Sequence, residues 1–450
     1  MHPDSPGDKA RFVRGRFPNE GLFEGKDFRI APAPFELEPR LAKDLEFLGR
    51  VLFQFNRATN LLYRLSVAGK QPAWIARWLD QGKPAELIEL QRSATFKNDL
   101  PRVIRPDVLL TETGLAITEL DSVPGGIGLT GWLNQTYADL TPPPTSGAAK
   151  TGGIIGGADG MIRGFENIFG DAPRVHVVVS EEAATYRPEM EWICAQLGTD
   201  RFAVRDSQFT GFEPGDAVYR FFELFDLHNV ANARQALALA REGKIQLTPP
   251  PKPLFEEKLL LALLWNRNLR DFWRQELGGR FLDKMLESVP YTWVMDPAPL
   301  PAHGAIPELN LTDWNQLKTL SQKERNLILK ISGYSEQAWG ARGVFLGNDL
   351  SSGDWSAAVD VALRSFEKSP HVLQRFHKPR TVETRWFDFE AETEVTMQGR
   401  VRLCPYFFVT GQGDSARTQL GGVLATICPA DKKIIHGMRD AILVPCSTAG

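Results

Sequence analysis

Cysteine is scarce. Cys194, Cys404, Cys428 and Cys446 are the four in 450 residues, and no two stand at C-x-x-C spacing. That argues against a zinc knuckle or a disulfide framework and fits a reducing compartment. Long apolar runs are missing too. The longest, "LLLALLW" at 259–265, is far short of the roughly 20 residues a membrane-spanning helix needs. The opening "MHPDSPGDKARFVRG" lacks the apolar stretch of a secretory signal, so a cytoplasmic protein with no membrane partner is expected. Neither sign of charge dominates: 52 Lys and Arg stand against 55 Asp and Glu, a net −3. No broad basic surface is implied, and nucleic acid is not the expected partner, a local basic patch aside.

What is present suits a large soluble protein of two or three sub-domains, with 43% hydrophobic and 24% charged residues. Residues 1–48, rich in Pro, Gly and charge, read as an extended arm. From Leu41 the apolar spacing is helical, and two helical segments are expected across 41–92. "DVLLTETGLAITELD" then reads as two short strands around a Gly-containing turn. A short helix follows, and then "TPPPTSGAAKTGGIIGGADG" at 141–160, a linker or lid without the GK[ST] of a phosphate loop. From Arg174 strands alternate with helices, as in a small sheet with covering helices. Residues 256–290 read as helical, and strands return beyond 325.

"GGIGLTG" contains Gly126-x-Gly128-x-x-Gly131 after a strand and before a helix, the outline of a dinucleotide fingerprint and hence of an oxidoreductase. The charges argue against it. A Rossmann first strand is almost wholly apolar, whereas this one ends in Glu119 and Asp121, which would repel a pyrophosphate. These glycines are expected to let the chain turn sharply beside a polar site.

Asp107 and Glu119 can face each other across the hairpin, and Glu119 and Asp121, two apart on one strand, share a face. Three carboxylates this close repel unless a cation neutralises them, and Mg²⁺ accepts such ligands beside nucleotide phosphates. A solvated strand face is the plainer alternative. Lys330, inside the apolar "LILKISG", weighs against that alternative, because a strand lysine is rarely buried without a partner. It leads into "GYSEQAWGARG", whose backbone N–H groups and glycines suit a phosphate-holding lid. Ser332, Ser335 and Arg342 offer further donors there, although a plain hairpin connection also fits. Lys258 opens an expected helix and, taken alone, reads as a surface lysine.

In this order the sequence resembles the synthetase domain of glutathionylspermidine synthases, in the circularly permuted branch of the ATP-grasp fold. Arg105-Pro106-Asp107, followed twelve residues after the Asp by Glu119-Leu120-Asp121, matches the family's R-x-D and E-x-N. "FEEKLLLALLW", "LILKISG", "HVLQRF" and "GGVLATICP" follow in the family's order, so the resemblance covers roughly residues 100–445. It implies an α+β (α/β) fold, a permuted ATP-grasp with an inserted Rossmann-like domain. The expected divisions are an extension (1–48), helices plus the carboxylate hairpin (49–150), the insert (151–255), a helical and lid region (256–345) and C-terminal strands (346–450).

The resemblance further implies ATP and two Mg²⁺, the metals on Asp107, Glu119 and Asp121. Arg105 would face the transferring phosphoryl group. Lys258 and Lys330 would hold nucleotide phosphates, and Gln374 would lie near adenine; the loop after Lys330 is longer than the family's and ends in "GARG", and its Ser332, Gly333, Gly340, Arg342 and Gly343 are candidates for phosphate contact from the lid reading alone. Small-molecule carboxylate and amine substrates would be joined through an acyl phosphate. A nucleotide-binding relative without turnover is the alternative. One departure stands out: the family's Asn is Asp121 here.

Overall fold

The computed structural model describes residues 4–18, 20–23, 26–140, 153–299, 306, 308–338, 342–435 and 439–448. Its strands are numbered in chain order and lie in three sheets. The seven-stranded sheet runs β1 (Phe35–Leu37), β15 (Ile442–Thr448), β14 (Arg417–Pro429), β13 (Thr393–Thr410), β2 (Val103–Thr111), β3 (Gly114–Asp121), with β12 (Thr381–Asp388) also paired to β13. All its pairs are antiparallel except β1 with β15. An antiparallel four-stranded sheet runs β10 (Val344–Leu346), β9 (Leu327–Ile331), β11 (His371–Arg375), β8 (Thr292–Val294). A parallel one runs β5 (Phe202–Arg205), β4 (Val175–Val179), β6 (Ala217–Phe221), β7 (Gln246–Thr248).

Strand chemistry follows from these settings. β4, "VHVVV", and β6, "AVYRF", are buried at every position, as parallel strands covered on both faces must be. Two of their polar members are paired inside: His176 Nε2 meets Asp216 at 2.9 Å and Arg220 meets Glu256 at 2.8 Å. Helix Pro39–Val67 buries Leu45, Leu48, Leu52, Phe55 and Leu62 along one stripe. Each such side chain is worth about 1.5–3 kcal/mol when fully withdrawn from water.

Three expectations change. The first 48 residues are not simply extended: Ser5 caps helix Pro6–Gly15 by accepting from the Asp8 amide, with Pro6 at the first turn, and β1 joins the large sheet. The helical stretch after 256 is broken into Leu259–Trp265 and Arg270–Ser288, the latter kinked at Gly278. The division drawn at 345/346 cuts a sheet, since β11 pairs with both β9 and β8. Register across distant segments sets that boundary, and local composition does not carry it. The expected linker over 141–160 falls outside the described residues up to 152. Among the described residues, no helix is long and apolar enough to cross a membrane.

Candidate functional site

β2 and β3 form the expected hairpin at one edge of the large sheet, with Asp107 opposite Glu119 and Arg105 opposite Asp121. A bulge after Asp107 shifts the register there. The antiparallel four-stranded sheet faces this hairpin, so that Lys330 on β9 reaches the Thr118 carbonyl of β3 at 3.0 Å. Between them opens a cavity of about 710 Å³. Arg105, Asp107, Glu119, Asp121, Lys258, Lys330, Gly333 and Arg342 line it.

Each hairpin acid is engaged by a cation. Asp107, only 4% exposed, meets Arg105 at 3.1 Å and Arg402 of β13 at 3.0 Å, and Cys404 Sγ donates to it at 3.4 Å. Burial alone would push the Asp107 carboxyl up, but the two guanidiniums outweigh it and hold it at about 2. Asp121 meets Arg105 at 2.5 Å and accepts the Val123 amide at 2.9 Å. There burial is the larger influence and the carboxyl is pushed up, with Arg105 opposing. Glu119 is the most open of the three, its side chain 34% exposed, and meets Lys258 Nζ at 3.3 Å. Burial works against its charged form, yet Lys258 brings its carboxyl below the usual range.

The lysines differ. Lys258 stands at the start of helix Leu259–Trp265, and its ammonium also donates to the Ala338 carbonyl at 3.1 Å. Burial would lower its affinity for the proton, but Glu119 raises it. Lys330 is 5% exposed and donates to two neutral acceptors, Thr118 O and Gln374 Oε1, each at 3.0 Å. Burial dominates and pushes Lys330 down to about 8, with Glu119 only partly opposing. Arg105, Arg402, Lys258 and Lys330 share this cavity with the three hairpin carboxylates, and Glu223 and Glu256 line it as well.

Several expected placements need correction. The three acids do not converge as a metal cage: among the described residues no group of three or more His, Cys, Asp or Glu side chains could hold an ion. Asp107 and Asp121 each have both oxygens on protein donors, so the donor set as arranged does not fit two ions held by the triad. Gln374 is 1% exposed, donates to Thr292 and accepts from Lys330; it orients the lysine behind the cavity instead of lining it. Ser332 is fully buried, its hydroxyl given to Glu257. Gly343 lies off the cavity, its carbonyl accepting from Ile331. Gly340 lies outside the described residues. Arg342 does line the cavity, and meets Glu182 at 2.7 Å.

Of the fingerprint-like glycines, Gly126 turns the chain at φ +86 beside the cavity, as expected, and Gly128 serves packing. A Cβ on Gly128 would stand 2.2 Å from the Glu189 carbonyl, so the glycine lets helix Ile127–Ala138 lie directly on helix Arg187–Leu197.

Sequence reasoning missed Arg402 and Cys404. Their signal was the alternation in "RVRLCPYFFV", which puts Arg402, Cys404 and Tyr406 on one face, and all three line the cavity. It also missed Lys26, which pairs with Glu189 at 2.8 Å, and the pair Glu223 and Glu256, which lines the cavity close enough to act on Lys258 and Asp121. Burial, reinforced by Glu256, raises the Glu223 carboxyl well above its ordinary range.

No protein-family model matches the chain, and no curated protein does. Among solved structures it is similar to a glutathione synthetase-like effector from Globodera pallida in apo form. The TM-score is 0.54 at 11% identity, over 98% of this chain and 97% of that one. It also aligns with a Methylobacillus flagellatus protein assigned as a gamma-glutamylcysteine synthetase, over 87% and 88% of the two chains at 11% identity. That TM-score, 0.41, is too low to bear on the fold. The fold is thus α+β and ATP-grasp-like, related to that of a glutathione synthetase-like protein.

Proposed function

We propose that the chain is an ATP-dependent carboxylate–amine ligase of the glutathionylspermidine synthase-like kind, forming ADP. One observation carries this reading: Lys258 and Lys330, from segments far apart in the chain, converge with Arg105 and Arg402 on one end of the cavity, where Lys330 brings a buried ammonium held by neutral acceptors. A polyphosphate is the ligand that such an end suits.

In this reading the nucleotide, arriving as its magnesium complex, lays its phosphates along Lys330 and Lys258. A substrate carboxylate oxygen attacks the γ-phosphorus, the bond to the β-phosphate oxygen breaks, and ADP leaves. The amine nitrogen then attacks the acyl carbon, inorganic phosphate departs, and the nitrogen gives up a proton to yield the amide. The chain's part is to position the reactants and neutralise charge. The support from similarity is a shared fold with a glutathione synthetase-like protein, together with the ordered motifs of the sequence.

One observation favours a second reading, a nucleotide-binding relative without turnover. Asp121 stands where the resembling family has Asn, and it ties down the Arg105 guanidinium, which already meets Asp107. An arginine so engaged is less free to meet a transferring phosphoryl group.

The test is mass spectrometry of products from the protein with ATP, Mg²⁺ and a mixed panel of acids and amines. A ligase gives ADP together with a new amide whose mass is that of an acid plus an amine less water. Binding of ATP with no ADP from any pair supports the second reading. Binding of NADH in place of ATP overturns both.

A further inference from the structure

Behind the two cavity lysines lies a network whose own three side chains do not line the cavity. The Lys83 ammonium meets Glu257 at 2.5 Å, with both side chains at most 1% exposed. Glu257 accepts from the Ser332 hydroxyl, which itself accepts the Leu259 amide at 2.9 Å. The Ser332 carbonyl accepts the Lys258 amide at 2.9 Å. Chain neighbours make the arrangement pointed. Glu257 lies between Glu256 and Lys258, and Ser332 lies two residues after Lys330 and directly before Gly333. All four of those neighbours line the cavity, while Lys83, Glu257 and Ser332 do not.

We propose that Lys83, Glu257 and Ser332 form a buried clasp that fixes the Lys258 segment against the Lys330 strand, which makes Lys83 and Glu257 positioning residues for the cleft. The inference rests on the reading of the two lysines as phosphate ligands.

Three further features fit a clasp. Lys83 belongs to the turn between helices Ala73–Asp80 and Ala85–Arg92, remote in sequence from both lysines. That turn can seat itself because Gly82, at φ +71, has no side chain: a Cβ there would lie 1.9 Å from the Lys368 carbonyl oxygen. On the other side, a Cβ on Gly333 would lie 2.3 Å from the Glu256 carbonyl oxygen, so the two lysine-bearing segments touch backbone to backbone. The Lys83 ammonium also stands 5.8 Å from the Tyr334 ring, and Tyr334 lines the cavity.

An apolar pair could fill the same space as well as a buried ion pair, and often does so without loss of stability. What it would lack is direction. The carboxylate takes the ammonium on one oxygen and the Ser332 hydroxyl on the other, and so sets where the backbone of 257–259 meets that of 330–333. A misplacement of about 1 Å between groups that act together costs up to about a hundredfold.

The test compares wild type with Lys83→Met/Glu257→Leu, which removes both charges at once, with Ser332→Ala, and with Lys83→Arg as the conservative variant. Two readouts are taken. In the absence of ligand, hydrogen exchange at the Lys258 and Leu259 amides is expected to accelerate about tenfold or more in the first two variants, with β9–β11 amides unchanged. By calorimetry, ADP–Mg²⁺ is expected to bind about tenfold or more weakly to the same two variants, and Lys83→Arg to retain most of the wild-type affinity. A double variant that melts near wild type yet binds weakly separates positioning from mere stability. Ser332→Ala keeps the ion pair should the double variant fail to fold. Wild-type exchange and affinity in Ser332→Ala and in the folded double variant overturn the clasp. A wild-type protein that binds no ADP–Mg²⁺ overturns the phosphate reading and with it the clasp's role in the cleft, while the ligand-free exchange still decides whether the clasp exists.

Discussion

The two walls of the cleft handle buried charge in opposite ways. On the hairpin wall every acid is met by a cation of the protein itself: Arg105 and Arg402 on Asp107, Arg105 on Asp121, Lys258 on Glu119. On the lysine wall Lys330 is held by a backbone carbonyl and an amide oxygen, with no direct carboxylate partner among the described residues, and its pKa falls to about 8. Charge on the first wall is spent on holding strands together. Charge on the second is available to an incoming anion. Damage to the first should therefore register as lost stability, and damage to the second as lost binding.

The largest expected effect breaks the hairpin wall. Arg402→Met leaves Asp107 with Arg105 as its remaining guanidinium, and breaking one arm of a buried charge network costs up to about 3 kcal/mol. Urea denaturation reads this directly. A cost within about 0.5 kcal/mol, that of a surface change, would show that the network is not closed. Lys330→Met should move stability far less, since it removes a cation whose burial is poorly compensated.

Next in size is the binding loss on the lysine wall. Lys330→Met should weaken ADP–Mg²⁺ by about ten- to a hundredfold, the worth of roughly 1.5–3 kcal/mol for a hydrogen bond to a charged group. Lys258→Met should cost less, because Glu119 already satisfies that ammonium. Equal losses by calorimetry would erase the distinction between the lysines.

The walls should also titrate apart. Lys330 is lowered to about 8, and a bound polyphosphate stabilises its charged form. Affinity for ADP is then full below pH 8 and falls as pH rises above it, by up to about tenfold per unit; Lys330→Met should be flat over that range. Asp107 behaves in the opposite sense. Its folded pKa, about 2, lies below the ordinary 3.8, so its contribution to stability is complete above about pH 4 and is lost as pH falls toward 2. Melting curves across both ranges separate the two groups.

The smallest effect sharpens the comparison at its one ambiguous residue. Burial pushes the Asp121 carboxyl up, so Asp121→Asn should cost far less stability than Arg402→Met. It also removes one negative charge from the cleft and frees part of Arg105, so nucleotide affinity should rise severalfold. Tighter binding with ADP release newly detectable would identify Asp121 as the brake on turnover; unchanged affinity would leave Arg105 as a purely structural partner.

What could be read in the sequence divides along the same line. The hairpin was legible because Asp107, Glu119 and Asp121 obey the two-residue period of a strand and the short reach of a turn. Lys330 was legible because a charge inside "LILKISG" is costly unless it has work to do. Arg402 was not, since it meets Asp107 across 295 positions of chain and only the β2–β13 register brings them together. Ser332 and Gln374 were misplaced for a related reason. A polar residue in an apolar strand announces that it needs a partner, but not whether that partner is a ligand or, as here, Glu257 and Lys330. The metal expectation stumbled on the same point: acids crowd together in sequence, while the guanidiniums that neutralise them arrive from elsewhere in the fold.

The central claim is that the lysine wall receives a nucleotide. Thermal unfolding of wild type and Lys330→Met, each with ATP–Mg²⁺ and separately with NAD, tests it most directly. The account predicts that ATP–Mg²⁺ at about 100 times its Kd stabilises wild type by roughly 2.7 kcal/mol, that the same concentration stabilises Lys330→Met far less, and that NAD stabilises neither. Stabilisation of wild type by NAD but not by ATP–Mg²⁺, or equal stabilisation of both proteins by ATP–Mg²⁺, would contradict it.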